Sequence, residues 1–224
     1  MPEVRFTRGL YGVTPDWDDT DRLLDAIGQA HAGGMTALQW RRKHGTPAAL
    51  RAQALAVRDL CRSLGLILII NDDWRLAADL DADGAHLGRD DGAIAPARQA
   101  LGPGKLLGCS CYDLPDLAAR RLQDGADYIA FGALYPSSVK PEATRATLDH
   151  VRAGRQLVEQ APASAGGRPA VVAIGGIGPD NAAPVIQAGA DSIAVISALF
   201  DAPDIRAAAQ RCTDLFAATS APGT

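Results

Sequence analysis

The chain has 224 residues, of which 47% are hydrophobic and 21% are charged, and its formal net charge is −4. This composition is typical of a globular protein with a sizeable core, and the lack of a basic, aromatic-interleaved stripe argues against nucleic acid as a partner. No apolar run approaches the roughly 18 residues of a membrane span. The amino-terminal sequence lacks an apolar signal core, which favours the cytoplasm. The four cysteines form no C-x-x-C pair, as expected of a reduced protein with incidental thiols.

Short apolar runs alternate with longer amphipathic runs along the whole chain, which predicts eight strands and eight helices. The predicted strands are 10–14, 37–41, 66–70, 84–87, 106–110, 128–131, 170–174 and 192–196. The predicted helices are 20–32, 47–64, 74–80, 94–101, 114–124, 148–160, 181–188 and 204–217. Eight strand–helix units in a chain of this length predict an α/β protein with one domain, a (β/α)₈ TIM barrel over 1–216. An open doubly wound sheet is the alternative.

Three segments stand out from this pattern. The residues Asp, Gly and Ala recur at 83–85, 125–127 and 189–191, each time where a strand is about to begin, which predicts a recurring helix-to-strand turn. The segment 161–169 is expected to be a flexible loop at the amino end of strand seven, away from any site. Residues 217–224 are expected to form a flexible C-terminal tail.

Polar side chains alternate with apolar ones at the end of strand two, where a buried parallel strand should be apolar throughout. Gln39, Arg41 and Lys43 are two residues apart and therefore share one face, while Leu38 and Trp40 share the other. If Leu38 and Trp40 pack under the helices, an amide, a guanidinium and an ammonium face the barrel mouth. A solvated basic turn is the alternative interpretation.

Carboxylates follow strands three and four, at the barrel end where active sites of this fold lie. Asn71 and Asp72 follow strand three directly, and Asp91 follows strand four. Two carboxylates from adjacent strand ends can converge on one hard cation such as Mg²⁺. Asp73 and Asp90 are instead expected to cap the helices that they precede.

The later strands end in residues suited to bind anions. Ser110 ends strand five, and a long segment with Ser137, Ser138 and Lys140 follows strand six. Strand seven ends in a glycine-rich loop at 175–178, and Ser197 could open a short extra helix after strand eight. Barrels of this class frequently bind phosphate at these last two loops. His86 lies within strand four, and we interpret it as a packed histidine rather than a catalytic one.

These segments match a known family in chain order, each at a strand end. They are QWRRK (39–43), INDD (70–73), GAHLGRDD (84–91), GCS (108–110), YPSSVK (135–140), AIGGIGPDNAAPVIQAGAD (173–191) and ISAL (196–199). Together they resemble the thiamine-phosphate synthase family over nearly the whole chain. The resemblance implies a transferase that joins 4-amino-5-hydroxymethyl-2-methylpyrimidine diphosphate to hydroxyethylthiazole phosphate and releases pyrophosphate.

The resemblance also implies a role for each matching residue. Those expected to bind the pyrimidine diphosphate are Gln39, Arg41, Lys43, Asn71, Ser110 and Lys140. Those expected to bind the thiazole phosphate are Ser137, Ser138, Val139, Gly176, Ile196 and Ser197. Asp72 and Asp91 are expected to ligate Mg²⁺, the one implied cofactor. The implied partners are these two small molecules, with no nucleic acid and no membrane, and the sequence leaves a homo-oligomer open.

Two positions depart from the family pattern. Val139 stands where a threonine is usual, which removes one possible phosphate-binding hydroxyl, and Arg42 stands where an acidic residue is common. Three other functions remain open on the sequence: a sibling barrel that isomerises a thiazole phosphate, a non-catalytic barrel that binds thiazole phosphate, and another phosphate-handling barrel such as a sugar-phosphate isomerase. The retained diphosphate-binding and metal-binding residues disfavour the first and the third, whereas the second would bind thiazole phosphate without Mg²⁺-dependent turnover.

Overall fold

The computed structural model describes residues 4–89, 91, 94–136, 145–161 and 167–219. The strands are β1 (Gly9–Val13), β2 (Met35–Trp40), β3 (Ile67–Asn71), β4 (Gly84–Leu87), β5 (Leu106–Tyr112), β6 (Tyr128–Phe131), β7 (Ala170–Ile174) and β8 (Ser192–Val195). The longer helices are α1 (Thr20–Ala32), α2 (Pro47–Leu64), α4 (Ile94–Leu101), α5 (Pro115–Gln123), α6 (Leu148–Gln160) and α9 (Ile205–Ala218). The short helices are α3 (Trp74–Asp79), α7 (Ala182–Gln187) and α8 (Ser197–Phe200).

The strands pair in parallel in chain order, and β8 pairs with β1, so the sheet closes into a barrel. The prediction of a single-domain (β/α)₈ barrel is therefore confirmed, and the doubly wound sheet is excluded. The predicted tail at 217–224 begins too early, because α9 continues to Ala218 and residues 220–224 lie outside the described part. Among the described helices, none is both long enough and apolar enough to cross a membrane.

Two apolar clusters hold the barrel together. The larger cluster lies between the strands and the surrounding helices and includes Leu38 and Trp40. The smaller cluster fills the barrel interior, where inward-facing residues of alternate strands stack in layers. The aromatic side chains of this interior cluster are Phe6, Tyr11 and Tyr128. The rings of Phe6 and Tyr128 stack with centroids 4.4 Å apart.

The recurring turn has a structural reason: each of its aspartates accepts a hydrogen bond from the backbone of the neighbouring strand. Asp83 accepts from the N–H of Leu68 at 2.8 Å, and Asp127 accepts from the N–H of Leu107 at 2.8 Å. Asp191 accepts a hydrogen bond from the N–H of Val171, the second residue of β7, at 2.9 Å. The three carboxylates thus satisfy strand-start N–H groups at the barrel end opposite the polar mouth.

Candidate active site

A cavity of about 310 Å³ opens at the carboxyl ends of the strands. Eight of the predicted site residues line it, namely Gln39, Arg41, Lys43, Asn71, Asp72, Asp91, Ser110 and Ile196. They come from five strand ends and lie far apart in sequence. The structure therefore brings five of the six residues predicted for the diphosphate, and both residues predicted for the metal, together in one place.

The alternating pattern of β2 has the predicted outcome. Gln39 faces the barrel interior and is 5% exposed, while the preceding Leu38 packs in the outer cluster. Trp40 also points outward, where its indole N–H donates to the side chain of Gln53 on α2 at 3.1 Å. The strand ends at Trp40, so Arg41 and Lys43 reach the cavity from the loop that follows.

The loop after β1 holds this basic segment in place. The Arg41 N–H donates to the hydroxyl of Thr14 at 2.8 Å, and that hydroxyl donates to the Arg41 carbonyl at 3.0 Å. The backbone N–H of Lys43 donates to Asp16 at 3.1 Å. Arg42 forms an ion pair with Asp18, which gives its charge a partner outside the cavity.

Two carboxylates meet on the other side of the cavity. Asp72 lies in the left-handed region with φ 65°, which costs conformational energy for a residue with a side chain, and its N–H donates to the carbonyl of His86 at 2.8 Å. Burial raises the pKa of Asp72, and the hydrogen bond and charge of Asp91 raise it further, while Lys43 and Arg41 act in the opposite direction. Asp91 also accepts from the N–H of Gly88 at 2.6 Å.

This pair fits a hard divalent cation. The neighbouring carboxylate disfavours the ionised form of Asp72, whereas a cation between the two groups would favour it. The donor set consists of oxygen atoms, which Mg²⁺ prefers, and within the described ranges no group of three or more His, Cys, Asp or Glu residues could hold a metal. Two carboxylates suit an ion that keeps several waters and binds substrate phosphates. Asp73 instead caps α3 through a 2.9 Å bond from the N–H of Leu76, as predicted.

Ser110 and His86 lie at the floor of the cavity. The imidazole Nε2 of His86 is 2.8 Å from the hydroxyl oxygen of Ser110, and Nδ1 is 3.1 Å from the hydroxyl of Tyr128. His86 is packed and hydrogen-bonded, as the sequence indicated, but it also lines the cavity. Its place on the cavity wall could not be predicted, because a strand-interior position does not say which layer of the barrel the side chain reaches.

The ends of β7 and β8 supply backbone at the opposite wall. Gly175 and Ile196 line the cavity, and Gly176 and Ser197 follow them directly in the chain. Gly176 has φ +63°, and a Cβ there would lie 2.4 Å from the carbonyl oxygen of Pro136, so a side chain is excluded. Ser197 begins α8, which confirms the predicted extra helix after strand eight.

Four of the predicted site residues lie outside the described part of the chain. They are Ser137, Ser138, Val139 and Lys140. The same holds for Asp90 and for most of the predicted 161–169 loop. These assignments stay predictions.

Sequence reasoning missed several residues on the cavity wall, among them Tyr11, Arg89 and Tyr112. The guanidinium of Arg89 lies 4.7 Å from the ring centroid of Tyr112, and the Arg89 N–H donates to the Tyr112 hydroxyl at 3.1 Å. Both residues line the cavity, and Tyr112 has φ 56°. Arg89 lies in the GAHLGRDD segment (84–91). The signal that could have identified it was a basic residue between the end of strand four and Asp91.

Comparison with known proteins identifies relatives of the chain. A model of the thiamine monophosphate synthase family matches residues 10–199. The thiamine-phosphate synthase of Bordetella pertussis is 55% identical over 216 residues, which cover 96% of this chain and 98% of that protein. That of Thiobacillus denitrificans is 51% identical over 214 residues, covering 95% and 97%.

A solved structure shows the same relationship. The thiamine phosphate pyrophosphorylase from Pyrococcus furiosus superimposes with a TM-score of 0.81 at 30% identity, covering 97% of this chain and 99% of that one. The one from Bacteroides thetaiotaomicron has a TM-score of 0.66 at 18% identity, covering 96% and 100%, and supports the fold alone. By family model, sequence relatives and fold, this chain belongs to the thiamine monophosphate synthase family.

Proposed function

We propose that the protein is a thiamine-phosphate synthase, a transferase that joins the pyrimidine diphosphate to hydroxyethylthiazole phosphate and releases pyrophosphate. The observation that carries this proposal is a shared cavity. The cationic residues after β2 and the carboxylates after β3 and β4 all line it. A leaving diphosphate needs positive charge, and a metal that accompanies it needs carboxylates, so one cavity with both suits this reaction.

The reaction requires one bond to break and another to form. The bond between the pyrimidine methylene carbon and the diphosphate oxygen breaks, and the diphosphate takes the electron pair. Electron donation from the aminopyrimidine ring stabilises the resulting carbon cation. The thiazole nitrogen then donates its lone pair to that carbon. No proton moves and no enzyme nucleophile is consumed, which agrees with a site built for charge stabilisation.

The residues of the cavity divide this work. Arg41 and Lys43 would hold the diphosphate oxygens and stabilise the negative charge that grows on them, with Lys140 as a further predicted contact. Gln39, Asn71 and Ser110 would orient the pyrimidine. The backbone of Gly176, Ile196 and Ser197 would face the thiazole phosphate together with Ser137 to Val139.

Asp72 and Asp91 would hold Mg²⁺. Their proximity and oxygen donors support this assignment. When bound, the ion would supply positive charge to the diphosphate. The two carboxylates also disfavour the sibling isomerase and the sugar-phosphate isomerase, which have no leaving diphosphate to neutralise.

The test is an assay of pyrophosphate release with both substrates, with Mg²⁺ or with a chelator. We expect turnover by the wild type to need the metal. Asp72→Asn should reduce turnover by about 10²-fold or more, because removing a metal ligand removes several kcal/mol of charge stabilisation. Thiazole phosphate binding, measured by calorimetry, should change much less.

Asp73→Asn is the matched control, since the next residue undergoes the same change outside the cavity. Asparagine caps a helix about as well as aspartate, so this variant should keep its stability and turnover. Equal turnover of Asp72→Asn and wild type at limiting Mg²⁺ would overturn the metal assignment. A wild type that binds thiazole phosphate but releases no pyrophosphate would be the non-catalytic barrel.

A further inference from the structure

Five side chains form a continuous hydrogen-bond chain across the floor of the cavity, here called the Gln39–Ser110 chain. The amide nitrogen of Gln39 donates to the hydroxyl of Tyr11 at 2.8 Å. The hydroxyls of Tyr11 and Tyr128 are 3.0 Å apart. From Tyr128 the chain continues to Nδ1 of His86 at 3.1 Å and from Nε2 to Ser110 at 2.8 Å. Gln39, Tyr11, His86 and Ser110 line the cavity, whereas Tyr128 is fully buried.

Hydrogen counting gives this chain a direction. A tyrosine hydroxyl has one hydrogen to donate. Tyr11 accepts from Gln39, so its own hydrogen is available to Tyr128. Tyr128 then accepts from Tyr11 and donates to Nδ1 of His86. A neutral imidazole whose Nδ1 accepts carries its hydrogen on Nε2, which donates to Ser110.

Burial keeps both phenols in the state that this counting needs. Tyr11 is 1% exposed and Tyr128 is fully buried, and burial raises the pKa of each hydroxyl far above its ordinary value. Phe6 stacks under Tyr128 and packs edge-on against Tyr11 with centroids 4.9 Å apart, so apolar surface closes the chain from below. Gly108 leaves room for the Tyr128 ring, because a Cβ there would lie 1.8 Å from it.

We propose that Tyr11 and Tyr128 are positioning residues that hold His86 in the Nε2–H tautomer, so that Ser110 meets the substrate as a hydrogen-bond donor. Ser110 accepts from His86, and its own hydrogen is then directed at an acceptor atom in the cavity. This inference rests on the proposed function, because the acceptor belongs to the pyrimidine diphosphate that Ser110 is proposed to bind. It adds a specificity rule, namely that the ligand atom facing Ser110 must be a hydrogen-bond acceptor.

The tautomer can be measured without any substrate. Nitrogen-15 NMR of histidine-labelled protein at pH 8 distinguishes the two ring nitrogens, and a His86→Gln spectrum assigns the His86 signals among the four histidines. We expect Nε2 to be protonated in the wild type and the two tautomers to mix in Tyr128→Phe. Tyr135→Phe is the control, since that hydroxyl donates to the carbonyl of Asn181 at 3.2 Å, outside the chain. An Nδ1–H signal in the wild type would overturn the proposal.

A double-mutant cycle on kcat/KM tests whether Tyr128 acts through Ser110. Tyr128→Phe keeps the stacked ring and removes the hydroxyl that joins Tyr11 to His86, so we expect a loss of about five- to tenfold in the wild-type background. In the Ser110→Ala background the same substitution should lower kcat/KM by less than about twofold, because the Ser110 hydroxyl that donates to the substrate is already absent. Equal losses in both backgrounds would mean that Tyr128 is merely structural and would refute the inference.

Tyr11→Phe provides a second variant should Tyr128→Phe fail to fold. It leaves Tyr128 free to donate or accept, so we expect a partial mixing of the tautomers and a smaller kinetic loss that again disappears in Ser110→Ala. A full loss that persists in Ser110→Ala would contradict the chain. The NMR result also separates the two proposals, since a wild type without turnover but with the Nε2–H tautomer would refute the function and not the chain.

Discussion

Thr14→Val should loosen the basic segment after β2 without changing any residue proposed to touch substrate. Valine has nearly the shape of threonine, so the change removes the two hydrogen bonds to the backbone of Arg41, at 2.8 and 3.0 Å, and little packing. Thr14 is 1% exposed, so water cannot easily replace the lost partners. At about 1 kcal/mol for each bond, the expected loss in the free energy of unfolding is about 2 kcal/mol. For a chain of this size that lowers the Tm by about 4–8 °C.

The kinetic consequence should be larger than the loss in stability suggests. Displacing a positioning group by about 1 Å can cost about 10²-fold in rate. We expect kcat/KM for the pyrimidine diphosphate to fall by at least about tenfold, since Arg41 would no longer be held at the cavity. Steady-state kinetics with the second substrate saturating, together with calorimetry, would measure both effects.

Thr36→Val is the matched control at the other end of the same strand pair. The Thr36 hydroxyl donates to the carbonyl of Leu10 at 3.3 Å, at the amino end of β2 and away from the cavity. It should lower the Tm by about 2–4 °C for one lost bond and leave kcat/KM unchanged. Equal kinetic effects of the two variants would refute the assignment of Thr14 to the positioning of Arg41.

Three further predictions follow from the cavity, the barrel interior and the thiols. Arg41→Ala should raise the KM for the pyrimidine diphosphate and lower kcat, whereas Arg42→Ala, which removes the partner of Asp18, should change either much less in the same assay. Gly108→Ala should lower the Tm by several degrees because its methyl group meets the Tyr128 ring, whereas Gly28→Ala, with nothing within 4 Å, should raise it slightly in the same calorimetric scan. All four cysteines are buried, and burial raises the pKa of their thiols to about 11–12, so iodoacetamide at pH 8 should label them only after denaturation, as mass spectrometry would show.

The mouth of the barrel could be predicted from the sequence because it depends on local periodicity. Side chains alternate along β2, so the polar and apolar positions separated without any knowledge of the tertiary structure. Neighbouring parallel strands end at the same edge, so residues following β3 and β4 had to lie close together. The register confirms this, since Asn71 of β3 pairs with His86 of β4.

The floor of the barrel could not be predicted in the same way. Tyr11 and Tyr128 meet across the barrel although they are 117 residues apart in the chain. Their contact depends on the tilt of the strands, on the space left by Gly108 and on the packing of Phe6, which lies outside every predicted element. A period of two places a residue inside the barrel, but it does not say which layer the side chain occupies or which strand it reaches.

The two ends of the barrel use aspartate in opposite ways, and this contrast separates stability from chemistry. At the amino end, Asp127 is paired with Arg5 at 2.7 Å and with Arg98, and its carboxylate also accepts a hydrogen bond from the N–H of Leu107 in β5, so its charge is balanced within the fold. At the carboxyl end, Asp72 faces a second carboxylate, and the opposing cations lie at the cavity wall instead of in contact with it. Removal of a partner from such a buried, paired carboxylate destabilises the fold, because it leaves an uncompensated charge. A cation between two facing carboxylates would relieve their repulsion, which is why we propose the cavity, and not the strand-start turns, as the place for a metal that accompanies a diphosphate.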